Sequence, residues 1–194
     1  MYFFNEDENK KSNSLNYLLV NDANNTDVSL TSGDFDILFN DIKDGCDIKI
    51  LVNENSNVKI SFFLKSNVEK ININIVCKNN SNLDIYFADF SYDKVLADIK
   101  IVLKEENSRV KWHLASLTSK NDNKTFNVSV DHDAKNTYAR VDNYGVCKDS
   151  GKLLFAGTSH IKNGSIDSET YQNAKIMVFD KESNAIAKPI LKID

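Results

Sequence analysis

The 194 residues, 41% hydrophobic and 27% charged, suffice for one folded unit and exclude a chain that is disordered over most of its length. Twenty-four Lys plus Arg against 28 Asp plus Glu leave a net charge of -4, without the clustered positive charge of a nucleic-acid footprint. No apolar run approaches the roughly 18 residues of a membrane helix, and Met1 to Glu8 turns acidic where a signal peptide would be basic and then apolar, so the reading is a cytoplasmic protein that binds neither nucleic acid nor membrane.

In chain order, residues 1–20 read as a polar, mobile terminus with a short strand from Leu15 to Val20, and residues 21–194 as a single unit. From about Val28 onward, short apolar runs of alternating or β-branched residues recur: Phe35–Phe39, Ile48–Val52, Val58–Leu64, Ile71–Val76 and Leu83–Phe87. They are followed by Arg109–Leu117, Thr125–Val130, Tyr138–Val141, Leu153–Gly157 and Lys175–Phe179. Such runs are strands, their starts fall about 12 residues apart, and no segment carries a helical period. Between them stand Asn53–Asn57, Lys65–Asn67 and Lys78–Asn82, whose side chains bond neighbouring backbone and tolerate left-handed conformations. The chain holds 26 Asn but only six Gly and one Pro.

An all-β chain with this spacing is either an antiparallel sandwich or a solenoid whose strands stack in parallel. Two details favour the solenoid. Hairpin signatures are confined to Asp44-Gly45 and Asn163-Gly164, and Asn recurs at the corners, where amides can stack from coil to coil.

The second half carries an ordered set of short motifs. Asp131-His132-Asp133-Ala134-Lys135-Asn136-Thr137 comes first, then Tyr144-Gly145-Val146 and Gly151–Ile161 with Phe155-Ala156-Gly157 inside it. Gly164–Asn173 with Gln172, Lys175–Val178, Asn184-Ala185 and Pro189-Ile190-Leu191-Lys192-Ile193 follow. This order resembles the SufB/SufD family of iron-sulfur cluster assembly proteins, most firmly over 131–193. The resemblance implies a right-handed parallel β-helix and a role as an assembly scaffold or accessory subunit that handles a transient iron-sulfur cluster. It implies a partner, either a SufB/SufD-like relative or a second copy, docked at the C-terminal end of the β-helix through Pro189, Ile190, Leu191 and Ile193. Family members continue beyond Pro-x-Leu-x-Ile into a Cys/His segment and then helices that dock the SufC ATPase, so contact with such an ATPase is expected only indirectly.

Three cysteines, Cys46, Cys77 and Cys147, show no CxxC pair and no zinc spacing. Cys46 and Cys77 alternate with apolar strand residues and read as core. Thiolate and imidazole are the ligands that iron and its clusters use, which makes Cys147, His132 and His160 the candidate metal ligands, brought together if successive coils align them. Nucleophilic catalysis by Cys147 or a Ser, with His132 or His160 as base and Asp131 or Asp133 orienting it, lacks any elbow motif around Gly157-Thr158-Ser159-His160, and the expectation is no enzyme. Gln172 reads as a buried amide bonded within a coil corner. Asp41, Asp44 and Asp47 fit no calcium loop and read as solvated turn residues. The other function class is a carbohydrate-active β-helix that would use carboxylates such as Asp131 and Asp133 as acid and base.

Overall fold

The computed structural model describes residues 2–4, 16–30 and 32–194. The expected mobile terminus and the start of the strand at Leu15 lie largely outside these residues. The strands are β1 (Tyr2–Phe4), β2 (Asn16–Ala23), β3 (Thr26–Leu30), β4 (Gly33–Ile42), β5 (Cys46–Val52), β6 (Ser56–Leu64), β7 (Lys70–Cys77) and β8 (Asn82–Asp89). They continue as β9 (Lys94–Leu103), β10 (Arg109–Thr118), β11 (Asn123–His132), β12 (Tyr138–Cys147), β13 (Lys152–Ile161), β14 (Glu169–Val178) and β15 (Asn184–Ile193).

Every ladder is parallel and skips one strand, so among the described residues the odd strands form an eight-stranded sheet and the even strands a seven-stranded one. The fold is a two-sheeted parallel β-solenoid, and the spacing near 12 is half a coil: one strand and one turn. Residues one coil apart are separated by 23 positions at Asp34 and Asn57, 25 at Asn57 and Asn82, and 31 at Asp149 and Asp180, so the coil lengthens along the chain.

Alternation supplies the core. In β11, Lys124, Phe126, Val128, Val130 and His132 face the lumen, and the residues between them face solvent. Side chains in equivalent coil positions stack: the rings of Phe39 and Phe62 lie 4.7 Å apart and those of Phe62 and Phe87 5.5 Å, while Trp112, two residues out of register with Phe87 in the next coil, tilts against it at 5.8 Å. Phe87 also meets Phe126 of the opposite sheet edge-on at 6.0 Å, which ties the two sheets together. Removing each such ring from water contributes about 1.5–3 kcal/mol.

The two edges of the solenoid explain the Asn content. On the first edge, where odd strands turn into even ones, Asn55, Asn80, Asn107, Asn136 and Asp167 each take a positive φ between 54° and 60°. Each of the four Asn donates its backbone N–H to a carbonyl of the next coil: Asn79, Glu106, Lys135 and Ile166. Asn occupies this conformation at lower cost than other residues with a Cβ, and so does the work that Gly does elsewhere. Immediately inside runs a column of buried hydroxyls in which Ser81 donates to Lys78 O at 2.6 Å and Ser108 to Glu105 O at 2.7 Å. Side-chain amides also link coils directly, as Asn82 to Asn57 at 3.0 Å and Asn57 to Asp34 at 3.0 Å. On the second edge carboxylates do the linking: Asp149 accepts from Lys120 N–H at 2.9 Å, and Asp44 from the N–H groups of Glu69 and Lys70.

Candidate functional site

Cys147 closes β12 at the second edge of the solenoid, whereas His132 closes β11 at the first. The strand between the two edges has 10 residues, so they stand roughly 30 Å apart. His160 pairs in register with Asp131, the outward neighbour of His132, and therefore points to the opposite face of the sheet. The coils thus separate the three candidate ligands, and no group of three His, Cys, Asp or Glu able to hold a metal occurs among the described residues. Linear spacing does not tell which edge of a coil a residue reaches, and so did not show this separation.

Each of the three has a local role instead. The Cys147 thiol approaches Gly151 O at 3.2 Å, and burial pushes its pKa above the ordinary thiol value, away from the thiolate a metal needs. Cys46 and Cys77 are core residues, with burial raising their pKa to about 11 and about 12. His132 Nδ1 lies 2.7 Å from Thr137 Oγ1 at the head of the hydroxyl column, while Nε2 is buried without a partner. Burial lowers its pKa to about 4 against the opposing effect of Asp131, which keeps the imidazole neutral at pH 7. His160 Nε2 lies 2.9 Å from Asp194 Oδ1, and that contact holds the Asp194 carboxyl below its usual range.

The carboxylates proposed for acid–base work are otherwise engaged. Asp133 accepts from Lys162 at 2.6 Å and from Lys104 at 3.0 Å, and Lys162 is also 3.4 Å from Asp131. Burial acts to raise the Asp133 pKa, but the two lysines outweigh it and leave the carboxyl below its ordinary value, the reverse of what a general acid needs. Asp41, Asp44 and Asp47 bond Ser66, the Glu69 and Lys70 backbone, and Lys49, and so build turns and coil links.

The short motifs of the second half converge on the last two coils. Gly157 of the Phe-Ala-Gly run and Gln172 are one packing unit, since a Cβ on Gly157 would collide with Gln172 Oε1. The Gln172 Nε2 donates to Ser159 Oγ at 3.0 Å and to Ile190 O at 2.9 Å, and Thr170 Oγ1 donates to the same Ser159 at 2.8 Å. Beside them Asn143 accepts the Trp112 Nε1–H at 3.0 Å, and Pro189 pairs in register with Gly157. These residues surround a lumen cavity of about 120 Å³, lined by Asn143, Phe155, Gly157, Gln172 and Pro189 among others. It offers amides and apolar walls, and its one titratable lining residue is Lys188, which is exposed. Gln172 is a bonded amide as expected, but it lies half-buried inside β14 and not in a coil corner; Asn143 was missed because the expected strand ended at Val141.

A second buried polar group went unseen altogether. Lys124 Nζ, fully inside the lumen, donates to Asp89 Oδ2 at 2.9 Å, Ser91 O at 2.7 Å and Leu117 O at 2.7 Å. All three ammonium protons are used, so Lys124 braces the second edge and is no nucleophile. Its signal was legible in retrospect, as a Lys at the inward parity of β11.

The C-terminal coil presents a broad surface. β14 and β15 pair on one side only, with β12 and β13, and their other edges have no partner among the described residues. Leu191 and Ile193 continue the lumen-facing parity of Phe155 and Gly157, yet they are 57% and 66% exposed. Pro189 stands over the cavity, and Ile190, on the outward face, is 47% exposed.

The family model described as "SUF system FeS cluster assembly, SufBD core domain" matches residues 9–194. No curated protein sequence matches the chain.

Proposed function

Since the chain belongs to the SufBD core family and so has a role in iron-sulfur cluster assembly by the SUF system, we propose that it acts there as a non-catalytic accessory core that works by docking a second SufBD-type core. The observation that carries this reading is the last coil. Among the described residues the two parallel sheets have unpaired strand edges there, and apolar side chains of lumen parity lie exposed beside them. An open strand edge is a template for further pairing, and a coil end stays soluble only when covered. A second copy of this chain, or another SufBD core, brings an edge and an apolar end of the same kind, with Pro189, Ile190, Leu191 and Ile193 in the contact.

The cluster, in this reading, is cargo and not a resident group. The separation of Cys147, His132 and His160 and the protonated state of a buried thiol do not fit a site completed within one chain. Non-catalytic action is supported by the ion pairing of Asp131 and Asp133 and by the full hydrogen bonding of Lys124. A cytoplasmic setting fits three unpaired cysteines, and no helix of the described residues is long and apolar enough to cross a membrane.

Anaerobic addition of iron and sulfide tests the accessory role. The purified chain should gain no stoichiometric cluster absorbance, and Cys147→Ser should match the wild type. A stoichiometric cluster that is lost in Cys147→Ser would make the chain a scaffold in its own right.

A further inference from the structure

The outward face of the even sheet carries a groove separate from the lumen, which runs from the end of β8 across β10 and β12 to Lys175 and Met177 of the last coil. Its volume is about 430 Å³, and its walls are Phe90, Leu117, Tyr144, Val146 and Met177 over the small Ala115. Tyr144 is 43% exposed although β12 has neighbours on both sides, and Phe90, the residue after β8, is 54% exposed, so at these two residues the exposure does not come from the open end of the last coil. The ring of Phe63 extends the stripe by one strand, 5.8 Å from Phe90.

Two features define what fits. The first is direction. Leu117, Val146 and Met177 are in register across β10, β12 and β14, as are Ala115, Tyr144 and Lys175, so the apolar rows run along the solenoid axis. Coils repeat every 4.8 Å or so, close to the roughly 5.4 Å turn of an α-helix, and a helix laid along the axis meets successive coils with successive turns. The second is charge. No Asp or Glu lines the groove, whereas Lys175 does, Lys148 follows two residues beyond Val146, and Lys65 sits over the Phe63 ring. Among the described residues none of these three lysines has a carboxylate partner. The nearby acids are turned to backbone instead: Asp149 accepts from Lys120 N–H and Asp180 from Asp149 N–H.

We propose that this groove docks an amphipathic α-helix of a partner protein whose apolar stripe is flanked by Asp or Glu. A concave, axially ridged floor favours a helix over a flat anionic membrane, which would meet the same lysines but leave the hollow at Ala115 unfilled. The helix contributes one apolar side chain per coil, and its acids pair with Lys65, Lys148 and Lys175.

The test uses two dye-labelled peptides of about 18 residues, long enough to span the groove, with the same leucine stripe and either Glu or Lys beside it. Fluorescence anisotropy should show the Glu peptide binding at least about tenfold more tightly than the Lys peptide. Val146→Glu and, separately, Lys175→Glu should each weaken it by about tenfold or more, while Thr158→Glu on the opposite sheet should change nothing. Vesicles of phosphatidylcholine with phosphatidylserine should not sediment the protein. Equal binding of the two peptides, binding unchanged in both groove variants, or capture by the vesicles without binding of the Glu peptide would overturn the proposal.

Discussion

Asn107 shows what a corner residue does. Its φ of 60° places it in the left-handed region, and its N–H reaches Lys135 O of the next coil. A β-branched side chain meets steric strain there that Gly escapes, so Asn107→Val should lose about 1–2 kcal/mol in urea unfolding and Asn107→Gly should stay close to the wild type. His132 makes a second prediction at this scale. Its folded pKa of about 4 lies below the 6.5 of a free imidazole, so the unfolded chain binds the extra proton first and stability declines as pH falls between those values. The full effect is on the order of 3 kcal/mol. Unfolding midpoints measured from pH 7.5 to 4.5 should fall more steeply for the wild type than for His132→Gln, and equal slopes would remove His132 as the cause. The corner asparagines were legible as turn formers because their chemistry is local. The neutral state of His132 was not, since it depends on which edge of a coil the residue reaches.

The strands show the same division between local and non-local information. The alternation that marks Val58–Leu64 or Ile71–Val76 survives unchanged in β6 and β7. Where a strand carries polar residues inward the pattern breaks down: β12 runs on through Asp142, Asn143 and Tyr144 to Cys147, and β14 begins at Glu169, well before the apolar run at Lys175. In both, non-local partners satisfy the polar groups, with Trp112 one coil away bonding Asn143 and Ser159 of the opposite sheet bonding Gln172. The Lys124–Asp89 pair tests this inter-coil bracing. Lys124→Met should cost about 3–5 kcal/mol by leaving the Asp89 carboxylate buried without a counter-ion, with only Ser91 and Ser116 still donating to it, whereas Lys124→Met combined with Asp89→Asn, which removes that charge and keeps an acceptor, should recover part of it. If the double variant is no more stable than the single one, the pair contributes through some other contact. Gly157→Ala should similarly destabilise the last coils, because Gln172 must leave the position from which it bonds Ser159 and Ile190.

At the scale of the molecule, sandwich and solenoid share one alternation, and only the pairing partner separates them. Here each strand finds its partner one coil away and parallel, which no local pattern contains. The ordered motifs of the second half resolve that ambiguity because they record packing across and along the solenoid: Gly157 admits Gln172 of the opposite sheet, and Pro189 pairs in register with Gly157 one coil on. The same stacking leaves Leu191 and Ile193 uncovered, on which the proposed association rests. Sedimentation velocity of the chain, alone and mixed with a SufBD-core relative from the same cell, tests that association most directly, with a Leu191→Asp, Ile193→Asp variant as the comparison. The account predicts a species of about twice the 21.9 kDa chain mass, or a one-to-one complex with the relative, that the double variant returns to monomer. A wild-type chain that stays monomeric in both samples, or a complex that the double variant leaves intact, would contradict it.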